Sequence, residues 1–142
     1  MTRKYDWQSA LSAFLIEQDH RIFEYGKWDC CLFACDAVAV MTGVDVAADY
    51  RGGYTTRRQA LQAIRARTGK RTVLAVAESV TAAFDMPTIR IALAQRGDVA
   101  LLKRGRDYSL GIVDLTGERI AVAAAEGLLR VPMQTAMTAW RV

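Results

Sequence analysis

The stretch Tyr25-Gly26-Lys27-Trp28-Asp29-Cys30-Cys31-Leu32-Phe33-Ala34-Cys35-Asp36 places a cysteine where a loop turns into an apolar helix. Gly26 permits an awkward backbone just before the turn. Asp29 is a good N-cap residue, so Cys30 falls in the first helical turn. Unpaired backbone N–H groups and the positive end of the helix dipole favour a thiolate there. A nucleophilic cysteine also needs a base, and the chain has a single histidine, His20. His20 precedes Cys30 by ten residues and follows the first helix, where a lone histidine reads as structural or solvated; a substitute base is the weaker reading.

The remaining composition bounds what surrounds that cysteine. At 142 residues, 52% hydrophobic and with 2 prolines, the chain is expected to form one domain, residues 1–142, with a proper core. No apolar run approaches the roughly 18–20 residues of a membrane span. Residues 1–6 carry charge with no apolar core behind them, so they are not expected to be a secretory signal, and synthesis in a cytoplasm follows. Cys30, Cys31 and Cys35 are too close together for a disulfide framework, and without a C-x-x-C pair or further histidines they make no zinc site. No cofactor is implied. The net charge of +4 owes much to Arg57, Arg58, Arg65, Arg67 and Arg71 with Lys70. They read first as a solvated helix face. A nucleic-acid interface is the weaker reading, because no stacking aromatics interleave with them.

The elements that must position Cys30 follow from periodicity. Asp6 is expected to cap a helix carrying Trp7, Leu11, Phe14 and Leu15 on one side, running to Gln18. A second helix runs from Asp29 to Gly43, a suitable C′ stop, and is apolar all round except for Asp36. Asp36 therefore needs a partner, and Arg51 of the Arg-Gly-Gly-Tyr loop is the expected one, a structural rather than catalytic role. Thr55 or Thr56 caps a third helix with Ala60, Leu61 and Ile64 inward, ended by Gly69. Residues 73–84 form a fourth. After Pro87 the period changes to short strands over 88–93, 99–103, 109–114, 119–124 and 128–132. Asp98, after Gly97 at a strand mouth, is expected to fix the turn through backbone N–H groups. Helices first and hairpin-linked strands second predict an α+β domain, N-terminal helices packed on a C-terminal antiparallel sheet.

A helix opening on a cysteine and packed on such a sheet resembles the papain-like cysteine hydrolases. Tyr25-Gly26 with Trp28-Asp29-Cys30, Arg96-Gly97-Asp98-Val99-Ala100-Leu101 and Ser109-Leu110-Gly111-Ile112-Val113 resemble three segments of the NlpC/P60 cell-wall peptidases. The chain is more similar still to small phage and prophage proteins related to that family. They share Tyr/Trp-Gly-x-x-Asp-Cys, an aspartate at Asp36, Thr-Gly-x-Asp at Thr42 to Asp45, Arg-Gly-x-Tyr at Arg51 to Tyr54, and an ending like Trp140-Arg141-Val142. The resemblance spans about residues 20–142. It implies that Cys30 descends from the nucleophile. It also puts Ser109 where the peptidases keep the histidine base and Ala121 where they keep the residue that orients it. The expected function is accordingly a structural or docking component of a phage tail tip or baseplate. It would sit in the virion against other tail-tip, hub or distal tail chains, with the cleft near Asp29, Cys30 and Ser109 free to receive a neighbour. An active cysteine peptidase or amidase opening peptidoglycan during genome delivery is the alternative.

Overall fold

A helix that is apolar on nearly every side has to be surrounded. In the computed structural model, which describes residues 1–142, α2 (Cys30–Thr42) lies between α1 (Trp7–Gln18) and the sheet. Leu11, Phe14 and Leu15 of α1 meet Phe33, Ala37 and Met41, and Phe14 stacks on Phe33 with ring centroids 5.7 Å apart. Fully burying one such side chain contributes about 1.5–3 kcal/mol. Trp28, just ahead of α2, closes the same layer edge-on to Phe33 at 6.0 Å. α2 stops as expected: Gly43 adopts φ +80° and its N–H donates to the Ala39 carbonyl at 2.7 Å.

α3 (Arg57–Thr68) and α4 (Val73–Ala83) start at Thr56 and Thr72, whose hydroxyls accept from Gln59 N at 3.2 Å and Ala75 N at 3.1 Å. Of the candidate caps for α3 it is Thr56 that serves, while Thr55 bonds the Gln59 side chain. α4 ends at Ala83, one residue short of expectation, because Phe84 leaves the helical region and Asp85 turns left-handed at φ +54°.

All strand pairs are antiparallel, in the order β1-β6-β2-β3-β4-β5. The strands are β1 (Thr88–Ile89), β2 (Val99–Arg104), β3 (Asp107–Val113), β4 (Arg119–Ala124), β5 (Gly127–Pro132) and β6 (Ala136–Trp140). Val99, Leu101, Leu110, Ile112, Ala121 and Ala123 face α2. Ala100, Leu102, Val113, Ile120 and Val122 form a small second core on the other face, under Val131, Met133 and Ala136. The fold is thus α+β, helices N-terminal and sheet C-terminal. No helix is long and apolar enough to cross a membrane.

Three local expectations need correcting. Asp6 does not cap α1: its backbone sits at φ −99°, ψ 21°, so the carboxylate cannot turn back on the first helical N–H groups. The strand expected over 88–93 is only Thr88–Ile89, followed by a 3-10 turn, Ile91–Leu93. β6 was not expected at all, yet it lies between β1 and β2 and buries Trp140.

Asp98 ties these parts together. Its carboxylate is 0% exposed. It accepts from Gln95 N at 2.8 Å and Val142 N at 3.4 Å, the backbone bonding expected of it. It also takes Arg3 Nη2 at 2.9 Å and Arg141 Nε at 3.1 Å. Arg3 reaches on to the Val142 and Arg96 carbonyls, and Arg141 to the Leu93 carbonyl. Removing a buried acceptor strands several donors at once. Asp98→Ala is expected to destabilise the fold by about 2–4 kcal/mol, read as a lower urea midpoint with an unchanged slope.

Candidate functional site

The loop before α2 is built to hold one carboxylate. Glu24 and Trp28 exchange backbone hydrogen bonds (2.9 and 2.8 Å), which folds residues 25–27 into a tight turn. Gly26 sits there at φ +83°, and a Cβ on it would collide with the Tyr54 carbonyl oxygen. Asp29 adopts an extended backbone, and its Oδ1 accepts from Leu32 N at 2.9 Å, the expected cap. Its Oδ2 accepts from Gly26 N at 3.1 Å and from the Tyr54 hydroxyl at 2.6 Å. Burial, then the charge of Asp29, pushes the Tyr54 phenol well up, so it stays a donor.

Tyr54 reaches Asp29 because its loop is pinned elsewhere. Arg51 Nη2 donates to Asp36 Oδ1 at 2.6 Å, the expected pair, and Arg51 also takes both oxygens of Asp45 at 2.8 and 2.9 Å. Burial raises Asp36 and Arg51 opposes that shift. The hydrogen bond from Arg51 lowers Asp45. These groups fasten residues 45–51 to the side of α2. They do not line the cavity described below, and nothing in their geometry gives them a chemical step.

Cys30 is the first residue of α2 and is half-buried. Its sulfur lies 3.9 Å from that of Cys31, its only hydrogen-bonding neighbour by geometry. The Leu110 amide and Ser109 hydroxyl are close by without closing a bond, yet still favour a thiolate. The Cys30 thiol is lowered, chiefly because Cys31 donates to it, with burial and the Asp29 charge opposing. Cys31 is correspondingly raised, and burial pushes Cys35 up to about 12. Among neighbouring sulfurs only Cys30 is set up to lose its proton.

Strand geometry explains why Ser109 and Cys30 are neighbours. β3 pairs with β2 along its whole length, from Val99↔Ile112 to Arg104↔Asp107. It pairs with β4 only at Ile112↔Ala121 and Val113↔Ile120. Gly111 marks the close approach: a Cβ there would lie 2.6 Å from both the Ala121 oxygen and Ile120 Cγ2. Beyond it β3 and β4 part, and the head of α2 faces the opening.

That opening leads into a cavity of about 670 Å³. Cys30, Asp29, Tyr25, Tyr54 and Ser109 line one part of it. Leu61 and Ile64 of α3, Val76 and Val80 of α4, and Leu110 line the rest. Sequence reasoning read the apolar side of α3 as core, whereas here it roofs a void. Arg104 and Arg106, at the turn around Gly105, also line it and were not singled out from the sequence, whereas Arg57 was read there as part of a solvated helix face.

The expected peptidase partners are not assembled around Cys30. Ser109 is buried beside it, but a hydroxyl is no base near neutral pH. Ala121 is buried opposite Ile112 and carries no polar atom. The His20 side chain is 95% exposed, 3.9 Å from Asp19, and is not part of the cavity wall. Cysteine hydrolysis of an amide needs a group that takes the thiol proton and returns one to the leaving amine. The Cys30 thiol is lowered, but the wall holds no imidazole to supply that return.

Two measurements check this construction. Iodoacetamide at pH 7 is expected to label Cys30 ahead of Cys31 and Cys35 by peptide mass spectrometry. Cys31→Ala, which removes the donor, should slow that labelling at pH 7 and converge with wild type at high pH. Tyr54→Phe is expected to cost about 1.5–3 kcal/mol of unfolding free energy, the usual worth of a hydrogen bond to a charged group.

Comparison with known proteins adds one match. No curated protein matches the sequence. A family model described as a domain of unknown function, DUF6950, covers residues 2–142, nearly the whole chain, Asp29, Cys30 and Ser109 included. The chain therefore belongs to the DUF6950 family.

Proposed function

We propose that this protein is a structural, docking component of the tail tip or baseplate of a phage or phage-like particle, built on an NlpC/P60-like scaffold whose peptidase site has decayed. The observation that carries the reading is the pairing of Cys30 with Ser109. The sulfur keeps a nucleophile's place at a helix head, and the position facing it holds a hydroxyl where the resembling peptidases hold an imidazole. Ala121 behind it and His20 out in solvent leave no second route to a base. Losing one member of such a catalytic unit costs several orders of magnitude in rate.

The partner in this reading is a neighbouring tail-tip, hub or distal tail chain, and the place is the virion. Nucleic acid is not the expected partner. Within the basic cluster, Arg57 pairs with Asp107 at 2.9 Å, and Arg67 bonds the Asp49 carbonyl at 2.8 Å and lies over Tyr50. The lowered Cys30 thiol is the one feature that favours the alternative, an active peptidase or amidase.

Complementation of a deletion separates the two. Wild type and Cys30→Ala are expected to restore equal numbers of infectious particles, with the protein imaged at the distal end of the tail, and the purified protein should release no cell-wall peptide above background. Turnover that disappears in Cys30→Ala, together with particles that assemble but fail to deliver, would establish the hydrolase instead.

A further inference from the structure

A cleft of about 670 Å³ opens between α3, α4 and the head of α2, a concavity of the kind that takes ligands. Its size lies within the roughly 300–1,000 Å³ typical of small-molecule sites. Most of the wall is apolar: 26 of the 35 lining residues are hydrophobic. The void exists because of how α3 is placed. Its Ala60, Leu61 and Ile64 side looks into the cavity, and α4 is the helix it packs on.

The most deeply set polar groups of the wall are engaged within the protein, while the hydroxyls of Ser109, Tyr25, Tyr50 and Tyr108 hold no side-chain hydrogen bond. Asp29 accepts three hydrogen bonds, and the Tyr54 hydroxyl is one of those donors. The Thr81 hydroxyl donates to the Ala77 carbonyl at 2.7 Å, and Thr72 caps α4. An extended peptide inside would bring one N–H and one C=O per residue, more than those scattered hydroxyls could partner along a wall that is mostly apolar, which is costly. An alkyl chain brings none. Wall chemistry therefore favours a hydrocarbon chain over a peptide backbone.

The rim carries a net positive charge. Arg104 and Arg106 stand on the β2–β3 turn, and Arg104 is the cross-strand neighbour of Asp107. Arg57 reaches across from the first residue of α3 to Asp107 at 2.9 Å. The rim thus carries three guanidinium groups against one carboxylate. Arg104 and Arg106 have no ion pair or side-chain hydrogen bond, and the Arg57–Asp107 pair is exposed, a kind worth little and easily exchanged. Tyr25, Cys30, Arg57 and Asp107 line the same cleft.

We propose that this cavity binds a fatty-acid carboxylate, its single alkyl chain lying under α3 against Leu61, Ile64, Val76 and Leu110 and its head held by Arg57, Arg104 and Arg106. The bound chain passes Cys30 and shields its sulfur. This site is independent of whether the protein sits on a phage tail.

The test uses the full chain and sodium octanoate, decanoate and dodecanoate below their micellar concentrations, with dodecyltrimethylammonium as a cation carrying the same chain. Isothermal titration should show one saturable site for the carboxylates. Affinity should rise by about fourfold per added methylene until the cavity is filled. Dodecanoate should slow iodoacetamide labelling of Cys30, and the cation should not. The double variant Arg104→Glu, Arg106→Glu, on a solvent-facing turn, should weaken dodecanoate binding at least tenfold while thermal unfolding stays unchanged. Should that variant misfold, the anion-to-cation comparison on wild type still decides. No saturable binding would overturn the proposal and leave the cavity to a partner's side chain. Equal affinity for anion and cation, or Cys30 labelling unaffected by dodecanoate at saturation, would overturn it as well.

Discussion

A carboxylate taken out of water must be satisfied by neighbouring donors, and the head of this molecule is arranged around that requirement at Asp29. One oxygen caps α2, and the other gathers the Gly26 amide and the Tyr54 hydroxyl. The tight turn at Gly26, the extended Asp29 backbone and the loop carrying Tyr54 follow from those bonds. So does the position of Cys30, which takes its place at the positive end of α2 because the residue before it cannot move. The Arg51 cluster acts on the same point from a distance: it fixes the loop with Asp36 and Asp45, and the loop delivers Tyr54.

A second constraint acts on the sheet. Asp98 gathers Arg3, Arg141 and the amides of Gln95 and Val142, so residues far apart in the chain close over the start of β2. Gly97 allows this closeness, since a Cβ there would lie 2.9 Å from both Met41 and Trp7. With β2 held against α2 and with β3 laddered to it, the parting of β3 from β4 beyond Gly111 occurs under the head of α2. Sulfur, hydroxyl and cavity meet at that parting. There the lowered thiol of Cys30 faces a hydroxyl and not an imidazole.

Much of the local structure was legible because it depends on neighbours in sequence. The Asp29 cap, the stops at Gly43 and Gly69 and the apolar faces of α1 and α2 are short-range matters of hydrogen bonding and period, and they read correctly. The Asp36–Arg51 pair was legible for another reason: an ionised group on an apolar helix demands a partner, and the nearest loop offered one arginine. Asp6 misled because cap preference describes a residue type, and the carboxylate can serve only if the backbone ahead of the helix is extended. β6 escaped because Ala136–Trp140 has weak alternation and is made a strand by its partners β1 and β2. In β2, β3 and β4 both faces are buried, so continuous apolar runs stand where an exposed sheet would alternate.

By itself the sequence determined the class of the fold, helices before strands, the residue at the head of α2 and the absence of a strand histidine, all set by residue type and spacing along the chain. Tertiary structure alone decided that the Cys30 and Cys31 sulfurs lie 3.9 Å apart, that β3 and β4 pair at only two positions and that α3 roofs a cleft rimmed by Arg57, Arg104 and Arg106. The reason is physical: whether an apolar helix face meets another surface or an empty space depends on where distant elements come to rest, and no local period records that distance.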